Sequence, residues 1–152
     1  MALSETPMTL VGQQTPRAVI YKSESHKLHQ AFCVKSGSTI VKGQPVALEA
    51  DGTISPYTAA TNQIYLGIAV TDNVNPAYGA QRNFPVEVTV MVEGFAIVNW
   101  VAAAASTPAG YLTPGADLLN NRYVKGTKST TATNFIALNA GDENEVIQVL
   151  VK

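Results

Sequence analysis

From residue 31 to the end of the chain, short apolar runs recur about every ten residues, each closed by glycine, proline, asparagine or aspartate. Almost none is long enough for an ordinary helix, and this rhythm marks a chain that folds by pairing many short strands. The strands are predicted at residues 31–34, 45–49, 52–56, 65–71, 85–92, 94–100, 121–124, 134–138 and 146–151. Asp51-Gly52 separates two of them as a hairpin turn, because both residues tolerate positive φ, and Glu93-Gly94 is read the same way. Val86, Val88, Val90 and Val92 alternate with Glu87, Thr89 and Met91, which puts the valines on one face of a half-buried strand. The predicted fold is all-β: a small barrel or β-tulip-like domain with an extended N-terminal arm and at most one short helix.

That helix is expected at Val101 and the alanines 102–105, stopped by Pro108, since alanine favours helix and proline ends what precedes it. Residues 1–30 lack sustained periodicity and form the arm, and residues 31–152 form a single β-rich domain. A short strand at 18–21 would let the arm pair with a sheet edge, its own or a neighbour's. Residues 73–84 and the Ser/Thr-rich 127–133 read as loops.

The chain has 152 residues, the size of one ordinary domain, and can bury a core without a disulfide or metal staple. Charged residues are 14% and the net charge is −1, with no basic cluster. Nucleic-acid binders draw most of their affinity from releasing counterions with basic side chains, so DNA and RNA are not expected partners. The longest nearly apolar run, 95–105, contains Asn99 and falls short of the ~20 residues that span a bilayer. The first ten residues lack the basic start and the apolar stretch of about 7–15 residues of a signal peptide. A soluble chain with no membrane partner is expected.

Residues that could carry chemistry are few. No two glycines lie closer than five positions, and the one P-loop-like spacing, Gly110 to Gly115, continues with Ala116-Asp117 where lysine and a hydroxyl are needed. His26 and His29 share the spacing of a metal-binding turn but have only Glu24 as a nearby carboxylate. Cys33 is the single cysteine and sits between Phe32 and Val34, the setting of a small core hydrophobe rather than a nucleophile. The acids Asp51, Asp72, Glu93 and Asp142 flank glycines or loops, where they serve as turn-formers. No catalytic residue, cofactor or metal is expected; the chain reads as an interaction protein, not an enzyme.

Two stretches resemble known families. The run from Val34 through Lys42-Gly43-Gln44-Pro45 to Ala50 resembles the opening of biotinyl and lipoyl carrier domains, but the hairpin tip, Ala50-Asp51-Gly52-Thr53, has no lysine to modify. A longer likeness runs from Gln44 to Ala105. The strand Pro45-Val46-Ala47-Leu48, the turn Asp51-Gly52-Thr53, the segment Leu66-Gly67-Ile68-Ala69-Val70-Thr71-Asp72, a strand ending at Glu93-Gly94 and one running to Trp100 before an alanine-rich turn resemble, in that order, the capsid decoration proteins of tailed bacteriophages, the lambda head-stabilising type. The closing Ala137-Leu138-Asn139-Ala140-Gly141 followed by Glu145 to Val151 is similar to the C-terminal strand of small phage capsid cement proteins.

The resemblance implies an accessory capsid protein on the virion exterior, made in the host bacterial cytoplasm, that binds the outside of an assembled phage head and stabilises it by bridging subunits. Its implied partners are the major capsid protein and neighbouring copies of itself in an oligomer, a trimer in the lambda type. The alternative is a β module of a head fibre, tail or baseplate, including a host-surface or carbohydrate adhesin. Tyr21, Tyr78, Phe84 and Tyr111 are the candidate capsid-interface residues, because aromatic anchors supply most interface energy. Two expectations follow for experiment. Amide exchange over residues 1–22 should be fast in the free protein and slow on the capsid, since ordering costs ~1–2 kcal/mol per residue that a partner must supply. Cys33→Ser should cost about 1–3 kcal/mol in denaturant titration and leave binding intact.

Overall fold

Alternating side chains and tight turns fold the residues described by this computed structural model (20–23, 28–74 and 86–152) into eleven strands and no helix. Strands β2 (Leu28–Cys33), β3 (Pro45–Leu48), β4 (Ile54–Pro56), β5 (Ile64–Ala69) and β6 (Glu87–Glu93) form one sheet in the order β2-β6-β5-β3-β4. Strands β1 (Ile20–Ser23), β7 (Ala96–Ala102), β8 (Gly110–Leu119), β9 (Tyr123–Lys128), β10 (Phe135–Ala137) and β11 (Val146–Val151) form the other, in the order β1-β7-β11-β10-β8-β9. The second sheet closes on itself because β7 also pairs in parallel with β9, Val101 opposite Lys125 and Ala102 opposite Gly126. The result is a five-stranded barrel with β1 added along the first half of β7. The first sheet curls until Val34, just past β2, bridges Ile54 of β4.

Several sequence expectations change here. Glu93-Gly94 is not a hairpin turn: Gly94, at φ 122°, lets the chain leave one sheet as β6 and enter the other as β7. The alanine-rich segment is not helical. Val101 and Ala102 finish β7, and the amides of Ala102 and Ala103 donate to Glu145 and Gly126 carbonyls, so cross-strand partners outbid a five-residue helix too short to nucleate. β8 lies mostly in a stretch read as strandless, because Pro114 and Gly115 are poor strand formers. The sheet accommodates them with a bulge, in which the pairing with β9 shifts between Pro114 and Leu118.

The strand expected at 18–21 is β1, two residues later, and it pairs with its own sheet edge. β2 begins at Leu28, so part of the stretch read as an arm belongs to the sheets; residues 1–19, 24–27 and 75–85, including most of the 73–84 loop, lie outside the described residues. β1 and β2 run antiparallel to β7 and β6, from Ile20 opposite Val98 to Cys33 opposite Glu87, and so border both sheets.

Two apolar clusters fill the interior. Ile40, Val46, Ile54, Ala69, Val88 and Val90 pack inside the five-stranded sheet. The larger cluster joins Trp100, Leu112, Phe135, Ile147, Val149 and Val151 of the barrel to Val41, Ile68 and Met91 from the other sheet. The valine face of β6 is therefore as predicted, but Met91 on its opposite face is buried too, so β6 is a partition between two cores rather than a half-buried strand. Trp100 is fully buried, and its indole Nε1 donates to the Gly43 carbonyl at 2.9 Å, bonding one sheet to a turn of the other. Phe135 lies between Trp100, at 5.2 Å, and Tyr65, at 5.4 Å edge-on, with Tyr57 beside Tyr65 at 5.2 Å. Gly126 is required by this packing: a Cβ there would come 2.9 Å from the Leu112 side chain and 3.1 Å from the Trp100 ring.

Because the aromatic cluster spans both sheets, Phe135→Ala should cost about 3–5 kcal/mol and lower the stability of both in one denaturant transition. Burial pushes the Tyr65 phenol well above tyrosine's ordinary value of about 10. Its contribution should be complete below pH ~10 and disappear as the pH rises further, because the unfolded phenol then ionises first. Tyr65→Phe should remove that part of the alkaline loss in denaturant titrations at stepped pH.

Candidate interaction surface

Alternation along β7, β10 and β11 turns one set of side chains into the barrel and the other outward. On the outer face, strand register aligns four apolar residues across four strands. Ile97 of β7 is opposite Leu150 of β11, Leu150 is opposite Ile136 of β10, and Ile136 is opposite Tyr111 of β8. Further outward-facing members flank this row: Phe95 and Leu138 on its two sides, and Val146 at the start of β11. Of the seven large hydrophobic residues exposed among the described residues, Phe95 (49%), Tyr111 (40%), Leu138 (46%) and Val146 (50%) belong to this face.

The polar residues between them carry no charge. Asn99 is opposite Gln148, whose backbone N–H donates to Asn139 Oδ1 at 2.8 Å, and Asn134 Nδ2 donates to the Lys152 carbonyl at 3.1 Å. Charges stand at its borders: Lys152 at one end, the turn holding Asp142, Glu143 and Glu145 at the other, and on β1 Lys22, in register beside Ile97. An apolar centre within a polar rim is how docking surfaces are built, and a contiguous apolar patch on a folded protein marks an interaction site.

Tyr111, the one sequence candidate whose side chain is described, lies on this face. Tyr21 belongs to β1, but its side chain is outside the described residues, as are Tyr78 and Phe84 entirely. Sequence reasoning missed Ile97, Ile136 and Leu150. β11 reads Val-Ile-Gln-Val-Leu-Val, apolar at both parities, so the sequence alone does not say which set faces out. Cys33 is a free thiol at the last position of β2, half-buried rather than in a strand interior, which puts Cys33→Ser at the low end of its expected cost. His29 is exposed on β2, and His26 lies outside the described residues.

A separate cleft of about 640 Å³ lies between the Gly37-Ser38-Thr39 turn and the β8 bulge. Asp117, Asn121 and Lys125 also line it, and no lining residue is an aromatic ring on which a sugar would stack.

No family model matches the chain, and no curated protein matches it. Among solved structures it is similar to the N base of the head fibre gp8.5 of bacteriophage phi29, at a TM-score of 0.48 and 17% identity, covering 82% of this chain and 95% of that one. A likeness at that level assigns neither a family nor a function.

Since Tyr111 contributes to a surface rather than to the core, Tyr111→Ser should change folding stability by less than about 0.5 kcal/mol in denaturant titration.

Proposed function

We propose that this chain is an accessory capsid protein of the decoration type. In this reading it docks on the outside of an assembled phage head and bridges subunits of the major capsid protein, next to neighbouring copies of itself. The observation that carries the reading is the uncharged apolar face of the barrel, centred on Ile97, Leu150, Ile136 and Tyr111. Such a surface suits a partner met over a broad area rather than a small substrate held in a cleft.

The elements behind the decoration-protein resemblance lend further support. Pro45–Leu48 is a strand, Asp51-Gly52-Thr53 is a turn with Gly52 at φ 85°, and Ile64–Ala69 is a strand. A strand ends at Glu93, another passes through Trp100, and the alanines after Ala102 form a turn. The role is mechanical. A protein that binds the assembled shell and not its free subunits stabilises the shell by mass action, without catalysis, cofactor, nucleic acid or membrane.

The test is to strip the protein from purified capsids, add it back and measure survival of heat and osmotic shock. Re-addition should restore survival, and binding should persist at 1 M salt, where the Debye length of ~3 Å leaves little charge steering. Ile136→Asp and Leu150→Asp should fold yet fail to bind. Tight binding to isolated subunits, capsids equally robust without the protein, or unimpaired binding by the aspartate variants would overturn the reading and favour a fibre, tail or baseplate module.

A further inference from the structure

β2 is the first strand of its sheet, and its neighbour there is β6. The hydrogen bonds around it reveal which of its backbone groups face away. The Val34 amide donates to the Val86 carbonyl at 2.9 Å, and in an antiparallel ladder the bonded pairs alternate, so Phe32 and Gln30 also bond to β6. The intervening residues then point outward. Thr89, opposite Ala31, has its backbone engaged on the far side of β6: its carbonyl accepts from Val70 N at 2.8 Å, and its amide donates to Thr71 Oγ1 at 2.9 Å.

The N–H and C=O groups of Ala31 and His29 therefore lie along the open side of β2. The one bond to them seen among the described residues is a long one, 3.4 Å, from the side chain of Gln30 to the Ala31 carbonyl. Closure of the sheet through Val34 and Ile54 begins just beyond, so the open length is residues 28–32.

Natural sheets protect such edges with lysine, proline, bulges or covering loops. Leu28-His29-Gln30-Ala31-Phe32 contains no lysine and no proline, its pairing with β6 is irregular only at its start, between Leu28 and His29, and residues 28–31 are exposed. We propose that the outer edge of β2 is a self-pairing site, at which a second copy of this chain adds its own β2 antiparallel about a two-fold axis through Gln30.

The register fits on three counts. A two-fold at Gln30 sets His29 of each copy opposite Ala31 of the other, so the outward-facing residues meet each other and form four backbone hydrogen bonds. It sets Leu28 opposite Phe32, apolar against apolar, at both ends. No charged side chain lies in the strand, so two identical strands meet without repulsion, as an isologous contact requires. This edge belongs to the other sheet from the capsid-docking face, and the pairing is a property of the free protein. Its test is thus separate from that of the proposed function.

Sedimentation velocity of the full chain over a range of concentrations should show a monomer–dimer equilibrium. Ala31→Pro removes an outward N–H while leaving the bonds from β2 to β6 in place, and should weaken association by more than about tenfold with the monomer still folded. Gln30 meets Gln30 as a non-hydrogen-bonded pair, where Cα atoms are about 4.5 Å apart, within disulfide range. In a Cys33→Ser background, Gln30→Cys should therefore give a disulfide-linked dimer under mild oxidation. A parent that stays monomeric at every concentration, association unaffected by Ala31→Pro, or an oligomer that Gln30→Cys does not cross-link would each overturn the proposal.

Discussion

The hydrogen bond from Trp100 to the Gly43 carbonyl is the constraint on which the two sheets' mutual position depends. An indole buried this deeply needs a partner for its N–H, and the partner comes from a turn of the opposite sheet. The rings of Tyr57, Tyr65 and Phe135 pack around that point and add area with defined edge and tilt geometry. Gly67 lets the sheet beneath stay tight, since a Cβ there would collide with the Met91 carbonyl. The five-stranded sheet encloses the smaller cluster, but the barrel has no complete core of its own. The larger cluster takes Val41, Ile68 and Met91 from one and the rest from the other, which makes the two sheets one cooperative body.

That arrangement explains how a chain with few charges can present an apolar surface and still hold a single structure. With its inner face filled, the barrel keeps its outer face rigid. Strand pairing, not side-chain packing, fixes the spacing of Ile97, Leu150, Ile136 and Tyr111. A surface whose shape is fixed in this way would lose little entropy on meeting a partner, which would offset the lack of charge attraction. The asparagines and glutamine among the apolar residues keep the face hydrated in the absence of a partner, and the Gln148 backbone N–H holds the Asn139 side chain in position.

How much was legible follows from what each segment had to satisfy locally. Val146–Val151 was readable to the residue, and the Asp51-Gly52 hairpin and the valine face of β6 followed from turn chemistry and alternation. The alanines after Trp100 misled because propensity is a weak local preference, and strand partners more than 20 residues away in sequence, Gly126 and Glu145, decided the outcome. β8 was hidden for the same reason: Pro114 is tolerable in a strand only when a bulge follows, and the bulge is set by β9. Glu93-Gly94 looked like a hairpin because a turn signature does not say whether the next strand stays in the same sheet. The apolar outer face was hidden by β11 itself, whose inward and outward residues are almost equally apolar.

The pairing of β1 and β2 has a consequence for how the chain reaches this state. Ile20 must find Val98, and Cys33 must find Glu87, so β1 and β2 leave the ribosome more than 50 residues before the strands they pair with. Pairings this distant along the chain slow folding, because the loop must close before any bond rewards it. Until then the neutral strand Leu28–Cys33 has both of its edges open, a hazard for aggregation at high expression. A cell making many copies at once would meet this open-edged chain first and the finished domain only later.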